Sequence, residues 1–216
     1  MSGGLGPVAW EKTDGVYQIG SGAEDAVILL HEIYGVNGHM CDAAAWLAAQ
    51  GLAVYCPDLL GTVYGYDQEA AAYEHYMKVG FAAAAGEATA LAGRIAGGHR
   101  RIFLVGYSAG ATVAWLLSGR DGFAGAVGYY GSRIRDFPDL TPACPVLLLF
   151  PHREEAFSVP ALAAMLAAKD GVTVSALPGR HGFADRRSPR FEAAAAQAAD
   201  AMAAAFLRDE GISANL

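Results

Sequence analysis

Cysteine is scarce in this chain of 216 residues: there are 3, Cys41, Cys56 and Cys144, odd in number and far apart. That excludes a disulfide framework and a four-ligand zinc site, and leaves each thiol as a small apolar residue for the interior. Long hydrophobic runs are missing as well. The strongest apolar stretches, Ala26–Leu30 and Val146–Phe150, fall far short of the roughly 20 residues that span a bilayer, so a soluble protein with no membrane partner is expected. Positive charge is in short supply: 15 Lys and Arg face 22 Asp and Glu, for a net charge of −7. No basic cluster interleaved with aromatics tracks a phosphate backbone, which argues against nucleic acid as a partner. Met1–Pro7 has neither a positive nor an apolar signal-peptide region, so the expected compartment is the cytoplasm.

Apolar residues are abundant at 54%, enough for one large core, and a single domain spanning 1–216 is expected. Short β-rich apolar runs alternate with longer alanine-rich segments. That alternation predicts an α/β fold with a mostly parallel sheet covered by helices on both faces. The expected strands are Ala26–His31, Ala53–Cys56, Arg101–Val105, Gly125–Tyr129, Val146–Phe150 and Val172–Leu177. Expected helices run from about Gly38 to Gln50 behind an Asn37 cap, from Asp67 toward Ala96 with a break at Gly80, and from Ser108 to Ser118. Two more are expected, Val159–Lys169 after Ser158, and Pro189–Leu207 with Ser188 as cap and Pro189 at the first helical position.

The strongest chemical signal is Gly106-Tyr107-Ser108-Ala109-Gly110, a G-x-S-x-G sequence directly between an apolar strand and a helical segment. A serine in so sharp a turn is pushed into a strained backbone that projects its hydroxyl off the sheet edge, and the N–H of Ala109 points into the same space. A serine hydroxyl is a weak nucleophile and needs a base. Among 6 histidines, His181 alone follows the last strand and precedes the last helix, where a loop carries it back over the sheet edge. The acid is expected after Val146–Phe150, where Glu154 and Glu155 stand side by side; Asp136 and Asp139 are weaker substitutes.

With these residues in place, the chain resembles the dienelactone hydrolase family of α/β-hydrolases over nearly its whole length. The likeness rests on His31-Glu32-Ile33-Tyr34-Gly35-Val36-Asn37, Tyr55-Cys56-Pro57-Asp58-Leu59, the Ser108 turn, Ala126–Gly131 and His181-Gly182-Phe183. The resemblance implies that Ile33 supplies a second oxyanion N–H beside Ala109. It also implies that Glu32 lies close to the nucleophile, where the family holds a glutamate that swings aside, with Tyr34 and Tyr107 as further pocket or gating residues. An ungapped count from Pro145 puts the acid on Glu154; a shift of one residue would choose Glu155.

Departures from the family pattern accompany the likeness. The prototype nucleophile is cysteine, here Ser108, and Glu69 and Asp185 stand where two arginines clamp a substrate carboxylate, with Arg186 and Arg187 as neighbouring substitutes. The expectation is therefore a serine hydrolase of a small ester or lactone, without cofactor or metal, as a monomer or small homo-oligomer. A hydrolase-fold protein that kept the scaffold for binding or regulation is the alternative. A flavodoxin-like or amidotransferase-like module fits less well, because no G-x-G-x-x-G turn, P-loop or nucleophilic cysteine at a strand end is found. A buried carboxylate at Glu32 is expected to affect the acid side of the pH profile; the competing expectation is that it ties its loop down through backbone hydrogen bonds.

Overall fold

A computed structural model describes residues 10–20 and 22–212; the Met1–Pro7 segment lies outside the described residues. The short apolar runs become a parallel sheet because burial on both faces leaves their backbone groups only each other to bond. The strands are β1 (Glu11–Thr13), β2 (Val16–Ile19), β3 (Asp25–Leu30), β4 (Ala53–Pro57), β5 (Arg101–Tyr107), β6 (Gly125–Tyr129), β7 (Val146–Arg153) and β8 (Val172–Arg180). Their order is β1-β2-β4-β3-β5-β6-β7-β8, with β1 and β2 antiparallel and the rest parallel.

Side-chain alternation along β3 divides the core. Val27 and Leu29 face helices α1 (Gly38–Ala49) and α6 (Ala193–Ile212), whereas Ala26, Ile28 and Leu30 face α3 (Phe81–Ile95), α4 (Ala109–Ser118) and α5 (Val159–Ala167). Helix α6 shows why alanine is so frequent. Ala195, Ala199, Ala203 and Leu207 recur every 4 residues and are buried, and their small side chains let the helix lie close to the sheet. Gly80, at φ 78°, separates α2 (Glu69–Val79) from α3, the break expected from its sequence.

Three expectations change. The β1–β2 hairpin was not anticipated, although its turn, Asp14-Gly15 at φ 49° and 76°, is a strong two-residue hairpin signal. Strands β7 and β8 run on to Arg153 and Arg180, past the apolar runs, because their pairing continues to the strand ends. The last helix starts at Ala193 rather than Pro189. Ser188 Oγ accepts from the Arg190 N–H, and the Glu192 N–H donates to the Phe183 carbonyl at 2.9 Å. These bonds hold residues 188–192 as a turn against the loop that carries His181, so tertiary pairing overrides the local helix-start pattern.

Candidate active site

Strand β5 delivers Ser108 at the carboxyl edge of the sheet, with φ 51° and ψ −111°. A non-glycine residue there is strained by about 1–3 kcal/mol, and close packing holds it in place. A Cβ on Gly106 would lie 2.2 Å from the Gly110 carbonyl oxygen, and one on Gly110 would lie 2.1 Å from the Leu30 carbonyl oxygen. Only glycine fits at either position. The Ser108 N–H donates to the Tyr129 carbonyl at 2.9 Å, which ties the turn to β6.

His181 follows β8, and its Nε2 accepts from Ser108 Oγ–H at 2.8 Å. On the other side its Nδ1–H donates to Glu154 Oε1 at 2.7 Å. The Glu154 side chain, from the end of β7, is only 7% exposed. Glu155 is exposed at the cavity wall, and Asp136 instead pairs with Arg133 at 2.7 Å. Of the two adjacent glutamates, the structure thus brings Glu154 to the imidazole. Other histidines are engaged elsewhere: His31, His39, His75 and His99 bond partners in the core or between loops.

Ile33 and Ala109 lie beside Ser108 in one cavity of about 450 Å³. Among the described residues, neither N–H has a hydrogen-bond partner. His31 holds the Ile33 loop: its Nε2 accepts from the Leu59 N–H, so its Nδ1–H donates to the Glu32 carbonyl at 2.6 Å. Burial makes that imidazole harder to protonate, which suits its role as a neutral link.

Glu32 lines a smaller adjoining cavity of about 90 Å³ together with Ser108, His181, Tyr34 and Tyr66. Its Oε1 is buried without a hydrogen-bond partner among the described residues. The expected backbone tether through this carboxyl is therefore absent there. Burial first, then repulsion from Asp185, pushes its pKa up to about 8 against the opposing pull of Arg190. Such a shift favours the protonated carboxyl. Its titration is expected toward the alkaline side of a pH profile, where the sequence suggested the acid side.

Tyr34 lines the smaller cavity, its ring 5.1 Å from that of Tyr66. Tyr107 is not in the cavity. Its ring is buried in the core and stacks on Tyr129 at 4.4 Å, because consecutive residues of a strand point to opposite faces and Ser108 takes the outward direction. The suggested arginine substitutes also lie elsewhere: Arg186 reaches Asp200 and Arg187 grips Asp42. Asp185 itself is buried, accepting from Tyr66 O–H at 2.6 Å and the Arg187 N–H at 2.9 Å. Sequence reasoning missed Arg133, Arg153, Arg180 and Arg190, which all line the larger cavity. Arg153 and Arg180 directly neighbour Glu154 and His181 in the chain, a signal that was available.

A serine held on a strained strand-to-helix turn at the edge of this sheet is the defining arrangement of the α/β-hydrolases, and this chain is one of them. Within that class it belongs to the dienelactone hydrolase family, whose model matches residues 14–210. It is, as a member of that family, a carboxylic ester hydrolase. The uncharacterized protein YczH of Bacillus subtilis (strain 168) is 41% identical over 177 residues, 78% of this chain and 85% of that one. Carboxymethylenebutenolidase of Pseudomonas putida is 32% identical over 116 residues, so the likeness covers 49% of each chain, about half of that enzyme. A crystal structure from Klebsiella pneumoniae subsp. pneumoniae MGH 78578 shares the fold, with a TM-score of 0.75 at 19% identity over 89% of this chain and 92% of that one. No helix among the described residues is long and apolar enough to cross a membrane.

Proposed function

We propose that the protein is a serine hydrolase that cleaves a small ester or lactone through an acyl-enzyme on Ser108. The observation that carries this reading is the unbroken chain from Ser108 Oγ through His181 to Glu154, at 2.8 and 2.7 Å. In this reading His181 takes the serine proton as Oγ attacks the carbonyl, then returns it to the leaving oxygen. Glu154 holds the Nδ1–H tautomer and stabilises the imidazolium. The Ile33 and Ala109 N–H groups receive the oxyanion, where one such donor is worth about 3–4 kcal/mol. Water then attacks the acyl-serine with His181 again as base.

A cavity of about 450 Å³ suits a small substrate. A fluorophosphonate probe tests the reading directly. Labelling mapped by peptide mass spectrometry is expected at Ser108; an intact folded protein that resists the probe would support the scaffold-only alternative.

Glu32 adds a pH dependence. Protonated, it leaves the developing oxyanion unopposed; ionised near pH 8, it repels that charge. The expected result is a fall in kcat/KM above about pH 8 that shifts to higher pH in Glu32→Gln. Stability changes with the same proton. The folded chain keeps it to about pH 8 whereas the unfolded carboxyl loses it near 4.5, so stability falls as pH rises through that window. Urea denaturation at pH 5 and pH 9 checks this: Glu32→Gln should lose less stability between the two than the wild type. Identical pH profiles in both measurements would remove Glu32 from the mechanism.

A further inference from the structure

Arg153 and Arg180 close the ends of β7 and β8 and are register partners, side by side on neighbouring parallel strands. Like charges so placed are unfavourable unless something lies between them. Both are exposed and both line the cavity that holds Ser108 and His181. Among the described residues neither guanidinium has an ion-pair or hydrogen-bond partner, although the Arg180 carbonyl accepts from the Phe183 N–H. The other cationic groups of this wall are engaged: Arg133 by Asp136 at 2.7 Å and Arg190 by Glu69 at 3.1 Å. The acids of the cavity do not neutralise the free pair, because Glu154 is committed to His181 and Glu155 alone is left. In a chain with a net charge of −7 and only 15 basic residues, 4 arginines in one cavity form a local exception.

Another part of the same lining has different chemistry. Ile33 and Ala109, whose N–H groups would take the carbonyl oxygen, share an apolar cluster with Met77 and Phe81. The two ends of a bound ester therefore meet different surroundings. The acyl group meets carbon, and the leaving alcohol lies toward His181, the proton donor, next to Arg180.

We infer that Arg153 and Arg180 form an anion subsite for the alcohol portion of the substrate, so that the favoured ester joins a small apolar acyl group to an alcohol bearing a carboxylate or phosphate. The subsite rests on the serine-hydrolase reading for its orientation but not for its existence. It is distinct from the clamp positions implied by the resemblance, which Glu69 and Asp185 occupy. Two exposed guanidiniums on one anion are worth about a tenfold effect at low salt, and less as salt screens them.

The test uses 4-acetoxybenzoate, its neutral analogue 4-acetoxybenzamide, and 4-acetoxyphenyl phosphate. The wild type is expected to favour an anionic ester over the neutral one by about tenfold in kcat/KM, with the larger gain separating carboxylate from phosphate. In the Arg153→Gln, Arg180→Gln double variant that ratio is expected to fall about tenfold, mainly through KM, and 0.5 M sodium chloride should compress it in the wild type. A ratio unchanged by the double substitution would overturn the subsite. Should none of the esters be turned over, the serine-hydrolase reading fails, and calorimetric titration with 4-hydroxybenzoate decides the subsite alone. Binding weakened about tenfold in the double variant sustains it; equal or absent binding in both proteins overturns it.

Discussion

Ser108→Ala is expected to lower kcat for ester hydrolysis by on the order of 10³-fold or more while the protein stays folded. Removing the hydroxyl takes away the group that forms the acyl-enzyme and leaves only oxyanion stabilisation and substrate binding. Folding should survive, because the serine side chain points out of the core into the cavity and its backbone N–H, bonded to Tyr129, is retained. His181→Ala should be nearly as damaging, and the double variant little worse than either, since a base without its nucleophile has nothing to activate. Steady-state kinetics with circular dichroism as a folding control checks all three. Substantial activity in well-folded Ser108→Ala would end the serine reading, and multiplicative losses would show that the two residues are not partners.

Glu154→Gln should reduce kcat by about 10²- to 10⁴-fold, with Glu155→Gln changing it by only a few-fold. The difference comes from one hydrogen bond. The Glu154 carboxylate accepts the Nδ1–H of His181 at 2.7 Å, which forces the tautomer whose Nε2 can take the serine proton. An amide at the same place can turn its NH₂ toward Nδ1, favouring the wrong tautomer, and it lacks the charge that stabilises the imidazolium. Glu155 is exposed on the cavity wall and makes no such bond among the described residues. A larger loss in Glu155→Gln would mean that the loop carries a register different from the one described.

Much of this was legible in the sequence, for local reasons. Short β-rich apolar runs alternating with longer alanine-rich segments point to strands buried on both faces, and the glycine at 106 is required by the Gly110 carbonyl four residues on, although the one at 110 is required by the Leu30 carbonyl of β3. His181 could be chosen from its place along the chain because a βα loop has to return over the sheet edge. The Asp14-Gly15 hairpin was equally local, and the missed strands there reflect an unread turn rather than hidden physics.

Other features depended on distant segments. An ungapped count favoured Glu154, but two adjacent carboxylates are chemically alike, and only the irregular end of β7 against β8 decides which one faces the imidazole. The resemblance implied Tyr107 as a pocket or gating residue, yet its ring turns into the core against Tyr129. Glu32 could be placed near Ser108 by resemblance, but its raised pKa and unbonded oxygen follow from burial beside Asp185, which lies 153 positions away in the chain. Arg153 and Arg180 are 27 residues apart and become neighbours only through strand pairing. The sequence by itself thus determined most of the elements and the strand-to-helix turn that carries Ser108, because the alternation of apolar runs and glycine punctuation is read over a few residues. The tertiary structure alone decided which glutamate meets His181, the burial of Glu32 beside Asp185 and the gathering of arginines in the cavity, because hydrogen-bond direction, desolvation and repulsion between charges depend on residues that folding brings together.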